Sequence, residues 1–178
     1  MTYYSGKELA SAFRTVRKNT IQVAEDIPES SYGFVAAPEV HSVARMLSHV
    51  AIVTRIWEEI HKKRLTTLVG FDFFGMIDRI NAEEAKTRSK SEILDLLRSE
   101  GEQFAAWMET LTPEFLAETV TEPDGKTVKS RFEGFLGAKE HEMHHRGQLM
   151  LIERQLGIVP HLTRQRQERV AQMRAAKA

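Results

Sequence analysis

Two histidines one helical turn apart carry the strongest chemical signal in this chain. They lie in the run GAKEHEMHHRGQLMLIERQLG, residues 137–157. On a helix at about 100° per residue, His141 and His145 project about 40° apart and sit about 6 Å apart along the axis. Imidazoles so placed can converge on one metal ion. Gly134, Ala138, Gln148, Ile152 and Leu156 lie near the same direction, so this face points into a core and its small residues leave room there. His144 points about 60° to the other side of His141, toward the edge, and is the weaker ligand candidate. Two imidazoles seldom hold a metal tightly. A third must come from another helix, and His49 is the only histidine on the apolar stripe of a different one. The competing reading of each is ordinary: a core histidine satisfied by packing. Several neutral imidazoles buried together without a partner would be costly, which favours the metal. Three neutral nitrogen ligands leave a coordination position open, as a catalytic site requires.

The remaining histidines receive no ligand role. His41 stands just before the second helix and reads as a surface residue at a helix start. His61 and His161 lie near segment ends. There is no cysteine, which excludes disulfides, a protein thiolate nucleophile and cysteine-based metal sites. Lys plus Arg equals Asp plus Glu, so the net charge is zero and gives no general pull toward nucleic acid or anionic membrane. The start, MTYYSGKELASAF, lacks the pattern of a signal peptide, and no stretch is apolar enough to span a bilayer. A soluble, cytoplasmic protein is expected.

The elements that must position these residues are helical. Three S-x-x-E patterns, Ser5/Glu8, Ser89/Glu92 and Ser130/Glu133, have the form of capping boxes at helix starts. Apolar residues recurring at three and four predict core helices over about residues 5–27, 39–63, 89–111 and 130–156. Gly157 suits a left-handed C-cap and Pro160 blocks continuation. GFDFFGMI, residues 70–77, is left undecided between loop and helix. Pro-Asp-Gly at 123–125, between two Thr/Val pieces, reads as a turn within a small hairpin. Residues 158–178 form a tail, helical from Thr163, whose Arg-rich run reads as a solvated face. One domain over residues 1–178 is expected, an all-α bundle.

With the motifs in place, the sequence resembles a known family. PEVHSVARMLSHVAIVTRIW is similar to the second-helix motif of the DinB/YfiT-like proteins, loosely, and HEMHHRGQLMLIERQLG to their fourth-helix motif, more specifically. The resemblance implies an up-down-down-up four-helix bundle holding Zn²⁺, Ni²⁺ or Mn²⁺. It maps the ligands onto His49, His141 and His145, the trio the helical geometry selects. One departure is His41, where many relatives carry an aromatic residue. Family activities include thiol-dependent S-transferases, a mycothiol-dependent isomerase and metal-dependent hydrolases.

These leave three functional expectations. The first is transfer of a low-molecular-weight thiol to a small electrophile, with the metal lowering the thiol's pKa. The second is metal-dependent hydrolysis. The third is a metal-bound binding or stress-response module without catalysis. Hydrolysis wants a carboxylate base, and Glu142 and Glu59 are weak candidates; Glu142 leans about 100° from His141. Gln148 is a weak catalytic candidate and a possible support for the ligands, whereas Arg146 faces away and reads as an ion-pair residue. Phe71, Phe73, Phe74 and Met76 either line a substrate pocket or fill the core. On the far side of the fourth helix, Phe132, Leu136, Met143 and Met150 form a second apolar stripe. The C-terminal tail or a second subunit must cover it, and the family's frequent homodimers favour the subunit.

Overall fold

Residues 4–177 are described in the computed structural model, which leaves Met1–Tyr3 of the signal-peptide reading outside. The four expected core helices are present. The first, α1, spans Gly6–Asp26. The second is divided into α2, Val43–Ile52, and α3, Thr54–Lys62. After α4, Phe73–Glu84, comes the third core helix, α5, Lys90–Glu109. A short α6, Pro113–Ala117, leads into the strands β1, Thr119–Thr121, and β2, Val128–Ser130. The fourth core helix is α7, Arg131–Gln155, and α8, His161–Ala175, follows it.

All three S-x-x-E patterns close as capping boxes. In each, the serine oxygen accepts from a backbone amide and the glutamate accepts from the serine amide, so orphan donors at both positions are satisfied. Gly157 has φ +78° and ends α7 as expected. The hairpin also forms: β1 and β2 pair antiparallel with Val120 opposite Lys129, and Gly125 turns the chain at φ +67°. Thr121 bonds to the loop after α3 as well, accepting from the Leu68 amide at 2.8 Å and donating to the Thr66 carbonyl at 3.0 Å.

Helix α1 packs against α5 and α7, and α2 packs against α5, α4 and α7. The helices consecutive in sequence, α1 and α2, are therefore diagonal partners, which is how an up-down-down-up bundle differs from a simple meander. At the centre lies a buried ion pair. Arg17 of α1 donates from Nε to both carboxylate oxygens of Glu142 on α7, at 3.0 and 3.1 Å. Its Nη1 reaches the Leu97 carbonyl of α5 at 2.8 Å, and its Nη2 the Val50 carbonyl of α2 at 3.0 Å. One guanidinium thus ties all four core helices together. The Val50 carbonyl is the acceptor that Thr54 would use in an unbroken helix. A side chain inserted into the helical ladder is a recognised cause of a break, and here it coincides with the division at Val53.

Several expectations change at this level. The segment at 70–77, undecided from sequence, is helical from Phe73: Asp72 caps α4 by accepting from the Gly75 amide at 2.9 Å. Helix α8 begins at His161, two residues before the expected Thr163, because its first turn docks. His161 is buried with Nε2 3.2 Å from Asn19 Oδ1, and Arg164 pairs with Asp26 at 2.7 Å. The rest of α8 is exposed, as a solvated face requires. Of the outer stripe of α7, Phe132, Leu136 and Met150 are half-buried by the chain's own helices, and Tyr4 packs edge-on to Phe132. Met143 alone of those four is exposed.

Candidate metal centre

The three histidines chosen from sequence meet. His49 comes from the last turn of α2, and His141 and His145 from successive turns of α7. One ring nitrogen from each lies within 4.8 Å of the others, and all three rings are half-buried. His49 Nε2 and His141 Nε2 are 2.9 Å apart. Tetrahedral zinc with bonds of about 2.0–2.1 Å holds its nitrogen ligands about 3.3 Å apart, so small ring rotations admit an ion.

Hydrogen bonds fix which nitrogen two of the rings offer. His49 Nδ1 lies 2.7 Å from Glu84 Oε2. The carboxylate can only accept, so the proton sits on Nδ1 and the bare Nε2 turns to the centre. His145 Nδ1 likewise lies 2.8 Å from Gln148 Oε1, an acceptor, which again frees Nε2. Burial, then the neighbouring His145, His49 and His144, push the His141 imidazole down to about 4. Burial is also the main cause that lowers His145, against an opposing contribution from Gln148. His141 therefore keeps its lone pair at neutral pH, the form a metal requires. Neutral imidazoles, two of them with anchored outer nitrogens, fit a divalent ion of the Zn²⁺ or Ni²⁺ type.

Glu84 went unnoticed in the sequence. Its carboxylate is buried at 1% exposure, and Arg45 Nη2 and His41 Nε2 approach its other oxygen at 3.5 and 4.0 Å. The available signal was Met76, Ile80 and Glu84 at steps of four, a carboxylate on an apolar stripe. His41 is exposed as expected, yet it stands beside Glu84 at the edge of the site. His144 is exposed and only packs against His145, ring centres 5.1 Å apart.

The candidate bases fall elsewhere. Glu142 is buried against Arg17 and has both oxygens engaged, so it is a structural residue. Glu59 pairs with Lys63 and Arg79 on the surface. Gln148 orients His145. Arg146 makes no ion pair among the described residues; its Nη1 is buried without a partner. Phe73 lines a pocket, Met76 fills the core, Phe71 packs at its margin and Phe74 is 84% exposed.

The comparisons agree with this picture. Residues 12–149 match the profile of the DinB superfamily. The chain belongs to the DinB superfamily. A DinB-like protein from Bacillus subtilis superposes with a TM-score of 0.63 at 21% identity, covering 84% of this chain and 92% of that one. YfiT from Bacillus subtilis, described as a probable metal-dependent hydrolase with an unusual four-helix bundle topology, gives 0.67 at 15% identity, over 89% and 91% of the two chains. An uncharacterised protein from Clostridium difficile gives 0.63 at 17%, over 86% and 98%. At these identities the likeness carries the fold alone. No curated protein matches the chain by sequence.

Proposed function

We propose that this DinB-superfamily protein binds one divalent metal on His49, His141 and His145 and transfers a low-molecular-weight thiol to a small electrophile. The observation that carries the choice is the state of the nearby carboxylates. Glu84 is committed to His49, and Glu142 to Arg17. Neither is free to take a proton from water. A bound divalent ion supplies Lewis acidity, lowering the pKa of a thiol or water in its open position. A thiol starts from about 8.5 and sheds its proton near neutrality with less help than water needs. The chain has no cysteine, so the thiol comes from solution.

The residues divide the remaining tasks. Glu84 and Gln148 hold two of the ligand rings in the tautomer that faces the centre. Trp57 packs against His141, ring centres 6.0 Å apart, and shields one side of the site.

Hydrolysis is the second reading, favoured by the description of YfiT as a probable metal-dependent hydrolase. A kinetic screen separates the two. Zinc- or nickel-loaded protein is offered glutathione or cysteine with 1-chloro-2,4-dinitrobenzene, and separately 4-nitrophenyl acetate without thiol. Turnover that requires the thiol supports transfer; ester turnover without thiol supports hydrolysis. The His145→Ala variant is expected to abolish whichever appears, and retained activity would remove the triad from the mechanism.

A further inference from the structure

One and two helical turns before His141, two glycines open a second hollow in the bundle. Gly134 and Gly137 of α7 face α3, and the loop after α3 and strand β1 close the space above them. The resulting pocket is about 260 Å³. Trp57, Ile60, Leu68 and Phe73 form its apolar walls, His61 lies at its floor, and Lys129 and Glu133 stand at its mouth. It is smaller than the usual cavity for a drug-sized ligand. Trp57 is shared with the metal centre, since its other side packs on His141.

His61 is the only floor residue with a side-chain hydrogen-bonding group. Its ring stacks on Phe135, centres 4.5 Å apart, and Nδ1 lies 3.1 Å from Nη1 of the fully buried Arg131. A guanidinium has donors and no acceptor, so Nδ1 must accept. Burial, then the Arg131 charge, push the imidazole down to about 4, so the ring carries one proton at neutral pH. That proton must be on Nε2. The Nε2 edge lies against the bare backbone of Gly134, where an added Cβ would come within 3.0 Å of it. Arg131 therefore locks a neutral N–H donor at the base of an apolar pocket.

The ligand chemistry follows from the donors: the inner pocket offers His61 Nε2 and the Trp57 indole N–H, while Glu122, Lys129, Ser130 and Glu133 line it toward the mouth. An anion would lose its hydration to apolar walls at high cost. An alcohol could accept from Nε2, but the lining carboxylates lie toward the mouth and are already engaged, Glu122 with Lys129 and Glu133 with Ser130, so its own hydroxyl proton would be poorly served at the floor. A carbonyl accepts and has nothing left to satisfy. We propose that this pocket binds a small, mainly apolar carbonyl compound, its oxygen accepting from His61 Nε2 and its body packed between Trp57 and Phe73.

The test needs no metal and no turnover. Acetophenone is titrated into the ¹⁵N-labelled metal-free protein, with the His61 ring nitrogens and the Trp57 indole followed by NMR. A saturable shift at both is expected, with toluene binding more weakly. Gly137→Leu should lower acetophenone affinity at least about tenfold by filling the space, the worth of roughly two methylenes. A Cβ at that position meets only Trp57 Nε1, at an ordinary 3.9 Å, so the helix tolerates it. His61→Phe keeps the stacking and removes the donor; acetophenone should weaken about tenfold and toluene should not. Should Arg131, left without its acceptor, unfold that variant, Gly137→Leu decides alone. A shift that does not saturate, or binding unchanged in Gly137→Leu, overturns the proposal, as does equal weakening of both probes by His61→Phe. The His49→Ala variant is expected to lose metal and keep acetophenone, so a failure of the metal reading is seen separately.

Discussion

At the scale of single residues, the metal centre depends as much on the groups behind the imidazoles as on the imidazoles themselves. Glu84 sets the proton on His49, and Gln148 sets it on His145. Carboxylate–histidine pairs of this kind raise ligand basicity and hold ring orientation, and their loss typically costs 10–100-fold in metal affinity. Glu84→Ala is therefore expected to weaken Zn²⁺ binding by about 10–100-fold, measured by competition with a chromophoric chelator. Circular dichroism should show the helices intact. Affinity within about twofold of wild type would mean that His49 needs no such support. His141 and His145 were legible in the sequence because their spacing on α7 is local, and His49 because it stands on the apolar stripe of another helix. Glu84 was not, because its approach to His49 bridges 35 residues and two elements. His61 was hidden for the same reason: its partner Arg131 is 70 residues away.

At the scale of elements, local signals were legible in the sequence, and the local breaks that distant side chains coincide with were not. The three capping boxes involve residues three apart, so S-x-x-E located the starts of α1, α5 and α7. The division of the second core helix could not be seen that way. It coincides with Arg17, which arrives from α1 and occupies the Val50 carbonyl. Arg17 also removes Glu142 as a base candidate, since sequence shows a glutamate beside a ligand and not the guanidinium that engages it. Removing one partner of a buried ion pair leaves the other uncompensated, which costs about 3–5 kcal/mol. Arg17→Met is expected to lose about that much in urea unfolding, and adding Glu142→Met should restore most of it. A single variant costing under about 1 kcal/mol would show that the pair does not brace the four helices.

At the scale of the whole molecule, two buried groups make stability depend on pH in opposite senses. His61 is pushed down to about 4 from an ordinary 6.5, so the unfolded chain binds its proton more readily. Its contribution is complete above about 6.5 and is lost as pH falls toward 4. Glu153 on α7 is fully buried, and neither carboxylate oxygen has a partner among the described residues. Burial, then the nearby Asp26, push it up to about 7 from 4.5. Folding favours its protonated form, so that contribution is complete below about 4.5 and is lost as pH rises through 7. The windows overlap between about 4.5 and 6.5, where the two slopes oppose each other. Glu153→Gln removes one of them: a neutral amide cannot become a buried anion. The variant should gain on the wild type as pH rises, by on the order of 1–2 kcal/mol more at pH 8 than at pH 5 in urea unfolding of the metal-free protein. Glu153 lies where α7 ends and the chain turns to α8, its carbonyl accepting from the Ile158 amide at 2.8 Å. If the gain is the same at both pH values, the carboxylate is already solvated through movement of α8, and the junction is looser than its packing implies.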